Sequence, residues 1–259
     1  MDLGIAGRKA IVCASSRGLG KACARALAEA GCDVVVNGRD AARLEATAQE
    51  IAAATGMKIT PVAADLSKPE GQQALLAACP EPDILVNNNG GPPARDFREL
   101  NREQMIDGVV ANMIVAVELI QKVIGPMTER KFGRIVNITS GSVKMPLAGL
   151  DLSSGARAGL TAFLAGVARS VADKNVTINN LLPGPFDTDR LKGMMNNMAK
   201  QKGISVEEAR TDRAASVPAR RFGSPKEFGA ACAFLCSAHA GFIVGQNLLM
   251  DGGTFNGAL

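Results

Sequence analysis

The chain has 259 residues, 47% of them hydrophobic and 21% charged, with a formal net charge of +4. That length can bury a substantial core and is near the upper size of a single α/β domain. The basic residues are scattered and Trp and Tyr are absent, so the clustered cations and stacking aromatics of a nucleic-acid binder are missing.

Short β-rich runs alternate with amphipathic helical runs. Lys9 to Cys13 reads as a strand and Lys21 to Ala30 as a helix, then Asp33 to Asn37 as a strand and Ala41 to Ala54 as a helix. Lys58 to Ala63 (strand), Lys68 to Ala78 (helix) and Ile84 to Val86 (strand) continue the pattern. A long helix is expected at Arg102 to Val123, a strand at Arg134 to Ile138, a helix at Leu152 to Asp173 and a strand at Thr177 to Leu182. Asp189 to Ser216 breaks the rhythm; it is polar and carries Met194, Met195 and Met198. Ser224-Pro225-Lys226-Glu227 has the form of a capping box, and its helix should run to about Ser237. A last strand is expected near Gln246 to Met250, before Asp251-Gly252-Gly253.

The strands are nearly continuous apolar runs, such as Val34-Val35-Val36 and Ile84-Leu85-Val86. Such runs suit strands buried on both faces of a parallel sheet. The strict β-α-β alternation predicts an α/β fold with a doubly wound parallel sheet, helices on both faces and right-handed crossovers. With no linker or repeat, residues 1–259 read as one domain.

The six cysteines contain no C-x-x-C pair, and His239 is the single histidine, so no metal site is expected. Reduced, mostly buried thiols in a cytoplasmic protein are the expectation. Met1 to Gly7 does not read as a signal peptide. The most apolar stretch, Val109 to Ile124, is interrupted by Asn112, Glu118, Gln121 and Lys122, so no membrane span is expected.

After the first strand comes Ala14-Ser15-Ser16-Arg17-Gly18-Leu19-Gly20, opening a helix. Glycines at a strand-to-helix turn let the backbone approach a pyrophosphate, and the helix N-terminus favours its negative charge. This turn resembles the T-G-x-x-x-G-x-G turn of the short-chain dehydrogenases/reductases, with Cys13-Ala14 in place of Thr-Gly. Four further segments resemble that family in the same order. Asp65-Leu66 resembles the adenine-contacting pair, and Asn87-Asn88-Asn89-Gly90 resembles N-N-A-G. Pro183-Gly184-Pro185-Phe186-Asp187-Thr188 resembles the P-G-x-x-x-T segment that holds the nicotinamide carboxamide, and Asp251-Gly252-Gly253 the closing D-G-G. The resemblance covers almost the whole chain and implies a Rossmann-type fold, a nicotinamide cofactor and a homotetramer. In that assembly the two long helices form one interface and the last helix and strand the other. Ser15, Ser16, Arg17, Gly18, Leu19, Gly20, Asp65, Leu66, Asn88, Gly90, Pro183, Gly184, Phe186 and Thr188 are the implied cofactor contacts.

Charge argues for NADP(H) over NAD(H). A carboxylate at the end of the second strand would bind a ribose 2′-OH, whereas a 2′-phosphate attracts arginine. The chain reads Asn37-Gly38-Arg39, so Gly38 stands at the carboxylate position, and Arg39 and Arg17 are placed to clamp a phosphate. Asp40 is assigned to the N-terminus of the next helix.

The family's catalytic set is Asn, Ser, Tyr and Lys. The resemblance carries Asn onto Asn112 and Ser onto Ser140. At the family's spacing, the Tyr position falls on Ser153 and the Lys position on Arg157, which also takes the ribose contact; Ala158-Gly159-Leu160 anchors the register. A serine hydroxyl donates a hydrogen bond but is a poor proton source beside a phenol, and arginine is no proton shuttle. Positions 153 and 157 share one helix face. Asp151 is a candidate acid, but more plainly a helix-capping carboxylate.

Three functions stay open. The protein reduces a carbonyl, with Ser140, Ser153 and Arg157 polarising the oxygen and water or the substrate giving the proton. It reduces an iminium or similar pre-activated group. Or it binds NADP(H) as a regulatory or partner subunit with little turnover. The pattern looks most like the 3-oxoacyl-acyl-carrier-protein reductase branch, which implies an acyl-thioester or small-molecule substrate. Arg130, Lys131 and Lys174 fall where that branch faces an acidic carrier protein, and can equally be solvated charges. Residues 189–216 match the family's substrate lid. Its methionines either line an apolar pocket or pack the lid to the body, and Arg190 and Lys192 leave an anionic substrate open.

Overall fold

Seven strands among the described residues form one wholly parallel sheet, in the order β3-β2-β1-β4-β5-β6-β7. They are β1 (Lys9–Val12), β2 (Asp33–Gly38), β3 (Ile59–Ala63), β4 (Ile84–Asn87), β5 (Gly133–Ile138), β6 (Val176–Pro183) and β7 (Asn247–Met250). The computed structural model describes residues 1–91 and 94–257, so residues 92–93 and 258–259 of the expected domain lie outside the description.

The apolar runs follow from burial on both faces. Ala10, Val12, Val34, Val36, Ile84 and Val86 point into one core with α1 (Gly18–Glu29), α2 (Ala41–Thr55) and α9 (Pro225–Leu235). Ile11, Val35, Leu85 and Ile135, one residue out of phase, point into a second core with α3 (Pro69–Ala78), α5 (Val115–Glu129) and α6 (Asp151–Ser170). Each fully buried Val, Leu or Ile contributes about 1.5–3 kcal/mol, so both layers are strongly driven. All six cysteines are buried within this packing.

Two segments differ from the sequence expectation. The long helix runs past Val123 to Glu129 and is not regular: α4 (Arg102–Val109) passes through a π-helical turn, Val110–Ile114, into α5. Asn112 explains the turn. Its Nδ2 donates to the Gly108 carbonyl at 3.1 Å, the acceptor its own backbone N–H would use in a regular helix. By length and composition Arg102–Glu129 is apolar enough to cross a bilayer, a departure from the sequence expectation, but Leu119, Ile120, Val123 and Met127 of its apolar face lie in the core. The irregular stretch after residue 188 is two helices, α7 (Asp189–Lys202) and α8 (Val206–Ala215). Thr188 and Ser205 cap their N-termini, and Gly203 ends α7 at φ +67°.

Strand order reverses between β1 and β4. In such sheets a crevice opens there, beyond the carboxyl ends of the strands. The loops after β1, β4, β5 and β6 all emerge on that side.

Candidate functional site

The loop after β1 is shaped by three side chains, two of them buried and that of Asn88 half-buried. Asn37 at the end of β2 accepts from Ala14 N (3.2 Å) and donates to the carbonyls of Val62 and Ala64 (both 3.1 Å). Asn88 after β4 donates to the Ala14 carbonyl at 3.0 Å. Ser15 donates to the Val12 carbonyl (2.7 Å) and accepts from Asn37 N (3.0 Å). Ser15 is fully buried and its hydroxyl is spent inside the turn, which leaves any cofactor contact to its backbone. Gly18 sits at φ +59°, and a Cβ on Gly20 would lie 2.4 Å from the Ala14 carbonyl, so both glycines are required. Arg17 is the exposed N-cap of α1, and no side chain caps that helix. Leu19 packs against the core. The positive end of α1 therefore faces the crevice.

The end of β2 carries the specificity features. A Cβ on Gly38 would meet Ser16 Cβ and Oγ at 3.1 Å, so Ser16 occupies the space a larger residue would need. Arg39 follows, exposed. Among the described residues, neither Arg17 nor Arg39 has a carboxylate within salt-bridge distance. Asp40 caps α2 by accepting from Arg43 N (3.1 Å), as expected. Asp65 accepts from Ser67 N and Oγ, which holds its carboxyl below the usual range. The Leu66 side chain lies in the core and its carbonyl accepts from Gln72, which leaves any cofactor contact to its backbone N–H.

On the other side of the crevice, a Cβ on Gly90 would meet nothing within 4 Å, so space is open above it. Thr188, capping α7, lies against Gly18, whose Cβ would come 3.8 Å from Thr188 Cγ2. Pro183 ends β6, and a Cβ on Gly184 would strike Asp251 Cα at 2.6 Å, locking the two loops together. The Phe186 ring is buried and packs edge-to-face on Phe228 with centroids 5.2 Å apart, which leaves any cofactor contact to its backbone. Open backbone amides, an uncapped helix N-terminus and two unpaired arginines fit a phosphorylated dinucleotide.

The structure brings Ser153 and Arg157 together. Arg157 Nε donates to Ser153 Oγ at 3.2 Å. Its Nη1 donates to the carbonyls of Ile138 (2.8 Å) and Thr139 (3.1 Å), and its Nη2 to that of Asn89 (3.2 Å). The guanidinium is thus largely committed to backbone, which narrows the ribose role implied for it. Burial, and then the nearby Arg190, push its pKa down to about 10, so it stays charged at neutral pH. Ser140 is half-buried at the end of β5, where its Oγ accepts from Ser142 N at 3.1 Å. Both serines accept a hydrogen bond and keep an O–H to donate. Asn112 reaches the same place from the π turn: its Oδ1 is buried with no partner, in a cavity of about 20 Å³ lined also by Asn87, Asn89, Asn137 and Arg157. That is room for about one water.

One feature escaped the sequence reasoning. Asn87 Nδ2 donates to Asn137 Oδ1 (2.9 Å), Asn137 to Asn180 (3.0 Å), and Asn180 to Asn247 (2.8 Å). These residues are in register across β4, β5, β6 and β7, and the ladder ties the carboxyl ends of β4 and β5, which present site loops, to the middle of β6 and the start of β7. Its signal is the asparagines within apolar strands, where Asn is disfavoured.

Other candidates fall outside the crevice. Asp151 is exposed and accepts from Gly149 N rather than capping α6. His239 bonds the Asp2 carbonyl at 2.8 Å. Met195 and Met198 pack with Leu191, Phe222 and Ala214 in a small lid core, while Met194 is exposed. Arg130, Lys131 and Lys174 lie at the amino ends of β5 and β6, opposite the crevice. Arg130 is held by the Pro82 carbonyl, and Lys174 pairs with Asp173.

Comparison with known proteins agrees with this geometry. The family model described as enoyl-(acyl carrier protein) reductase matches residues 13–254. The 3-oxoacyl-[acyl-carrier-protein] reductase FabG of Vibrio cholerae is 34% identical over 257 residues, covering 98% of this chain and 99% of that protein. The NADPH-dependent reductase BacG of Bacillus subtilis is 31% identical over 252 residues, 95% and 97% of the two chains. Among solved structures, the L-sorbose reductase of Gluconobacter frateurii, complexed with NADPH and L-sorbose, superposes with a TM-score of 0.94. It is 28% identical, with both chains fully covered.

Proposed function

The chain belongs to the short-chain dehydrogenase/reductase family, and on that footing we propose that it is an NADPH-dependent reductase of a carbonyl group. The observation that carries this is the cluster of Ser140, Ser153 and Arg157 at the carboxyl end of β5, beside the open space over Gly90. Arg17 and Arg39, with Gly38 in place of a carboxylate, support the phosphorylated cofactor, as does the NADPH dependence of the relatives.

When bound, the cofactor supplies the hydride. The hydroxyls of Ser140 and Ser153 donate to the substrate oxygen as negative charge builds on it, and Arg157 adds positive field from beneath. The oxygen takes its proton from water, for which the cavity beside Asn112 Oδ1 has room. No tyrosine exists in the chain to do this. An acyl-thioester substrate rests on the likeness to the Vibrio reductase. The basic residues considered for carrier-protein docking are partly paired and lie at the far end of the sheet.

The test is NADPH oxidation, followed by absorbance, with 3-oxoacyl thioesters, ketones and imines. Turnover that falls about 100-fold in Ser140→Ala supports the assignment. Tight NADPH binding without turnover overturns it in favour of a cofactor-binding partner subunit.

We also propose the tetramer. Large apolar residues are exposed on the surfaces it would use: Met105 on α4, Phe163 on α6, Phe234 on α9 and Leu248 on β7. A monomeric mass by light scattering would overturn it.

A further inference from the structure

The charges around the crevice carry the reductase assignment, on which this inference rests, to a substrate class. Arg157 is only 6% exposed, yet everything its guanidinium touches is neutral: the Ser153 hydroxyl and the carbonyls of Ile138, Thr139 and Asn89. Four of its five N–H groups are used, and one on Nη2 remains. A buried charge is costly unless an opposite charge offsets it. Among the described residues no carboxylate does so here.

A second cation lies beside it. Arg190, in the first turn of α7, sits over Gly91, where a Cβ would come 2.9 Å from Nη1 and 3.1 Å from Nη2. Gly91 is two residues beyond Asn89, whose carbonyl receives Arg157, so the two guanidiniums meet at one loop. Their repulsion adds to burial in depressing the Arg157 pKa.

Four acids around the crevice are engaged elsewhere. Asp187 holds Arg210 at 2.6 Å, and Asp189 lies 3.7 Å from Lys192. Asp151 accepts from Gly149 N, and Asp251 from the N–H groups of Gly253 and Phe255. Arg190 itself forms no salt bridge with any described residue.

We propose that the substrate is an oxo acid, whose carboxylate is held by Arg190 of the lid and drawn in by the field of Arg157. Its carbonyl then lies toward Ser140 and Ser153. A guanidinium fork matches the two oxygens of a carboxylate. Anchoring on α7 also ties substrate binding to seating of the lid.

The test uses the intact protein with NADPH. Acetoacetate and 2-oxobutanoate are compared with their methyl esters, by NADPH absorbance for turnover and by fluorescence of bound NADPH for binding. The acids should be preferred at least about tenfold in kcat/KM, or in Kd where turnover is absent. Arg190→Met should erase the preference while changing the NADPH Kd less than about twofold, and Arg190→Lys should keep part of it. Esters handled as well as acids, or a preference that survives Arg190→Met, overturns the proposal. So does bound NADPH that neither acid perturbs at about 50 mM. Acid binding without turnover upholds the anion site and overturns the reductase assignment instead.

Discussion

Arg157 Nε donates to Ser153 Oγ at 3.2 Å, one helical turn back along α6. A cation therefore occupies the oxygen of the hydroxyl and strengthens its O–H as a donor, without making it a good acid. The same guanidinium ties α6 to the end of β5 and to the loop after β4. Lysine has one ammonium and cannot span these groups. Arg157→Lys should lower unfolding stability by about 2–4 kcal/mol and reduce turnover, even when combined with Ser153→Tyr. Urea unfolding and NADPH oxidation check both. A double variant that is faster on ketones would mean the site had lost a tyrosine chemistry it can still support.

Ala14 sits at φ +43°, a left-handed conformation that costs a residue with a Cβ about 1–2 kcal/mol. Ala14→Gly removes that strain but loosens the unfolded chain by about 0.4–1 kcal/mol. Stability should rise by up to about 1 kcal/mol, and NADPH affinity should not fall. A lower melting temperature would show that the methyl group packs usefully.

Arg39 is exposed beyond Gly38 and unpaired among the described residues. Arg39→Ala should weaken NADPH binding about 10–100-fold and leave NADH binding nearly unchanged. Isothermal titration with both cofactors reads this directly. Equal losses would remove the 2′-phosphate role.

Asn137 is the middle rung of the amide ladder, accepting from Asn87 and donating to Asn180. Asn137→Ala strands one buried donor and one buried acceptor, and should cost about 2–4 kcal/mol. Asn137→Asp should also destabilise, because it loses the N–H₂ that reaches Asn180. Denaturant midpoints measure both. A loss under about 1 kcal/mol would mean that water replaces the rung.

Arg210 holds the Asp187 carboxyl below its usual range, through hydrogen bonds of 3.1 and 2.6 Å. A depressed folded value means the stabilisation is present above the ordinary carboxylate value and lost as pH falls through the folded one. Hydrogen-exchange protection factors in α7 and α8, taken relative to the intrinsic rate at each pH, should therefore fall below about pH 4 while the central strands stay protected. Arg210→Gln should loosen the lid at neutral pH and flatten that dependence.

The order of strands and helices, the Gly-rich turn and the positions of Ser140, Ser153 and Arg157 were legible in the sequence, because each is written in local pattern: period, glycine placement, motif spacing. Apolar runs reveal strands buried on both faces whatever their neighbours. Burial and pairing are not local, and there the tertiary structure decided. Ser15, Leu66 and Phe186 stand in motif positions, yet their side chains pack inward, since the turn and the two cores need them. The π turn arises from one side-chain bond between Asn112 and Gly108. The asparagine ladder exists only because strands 40 to 70 residues apart align in register. The uncompensated charge of Arg157 and Arg190 belongs to the same class: a sequence counts charges, but only the fold sets which of them face one another without a counter-ion.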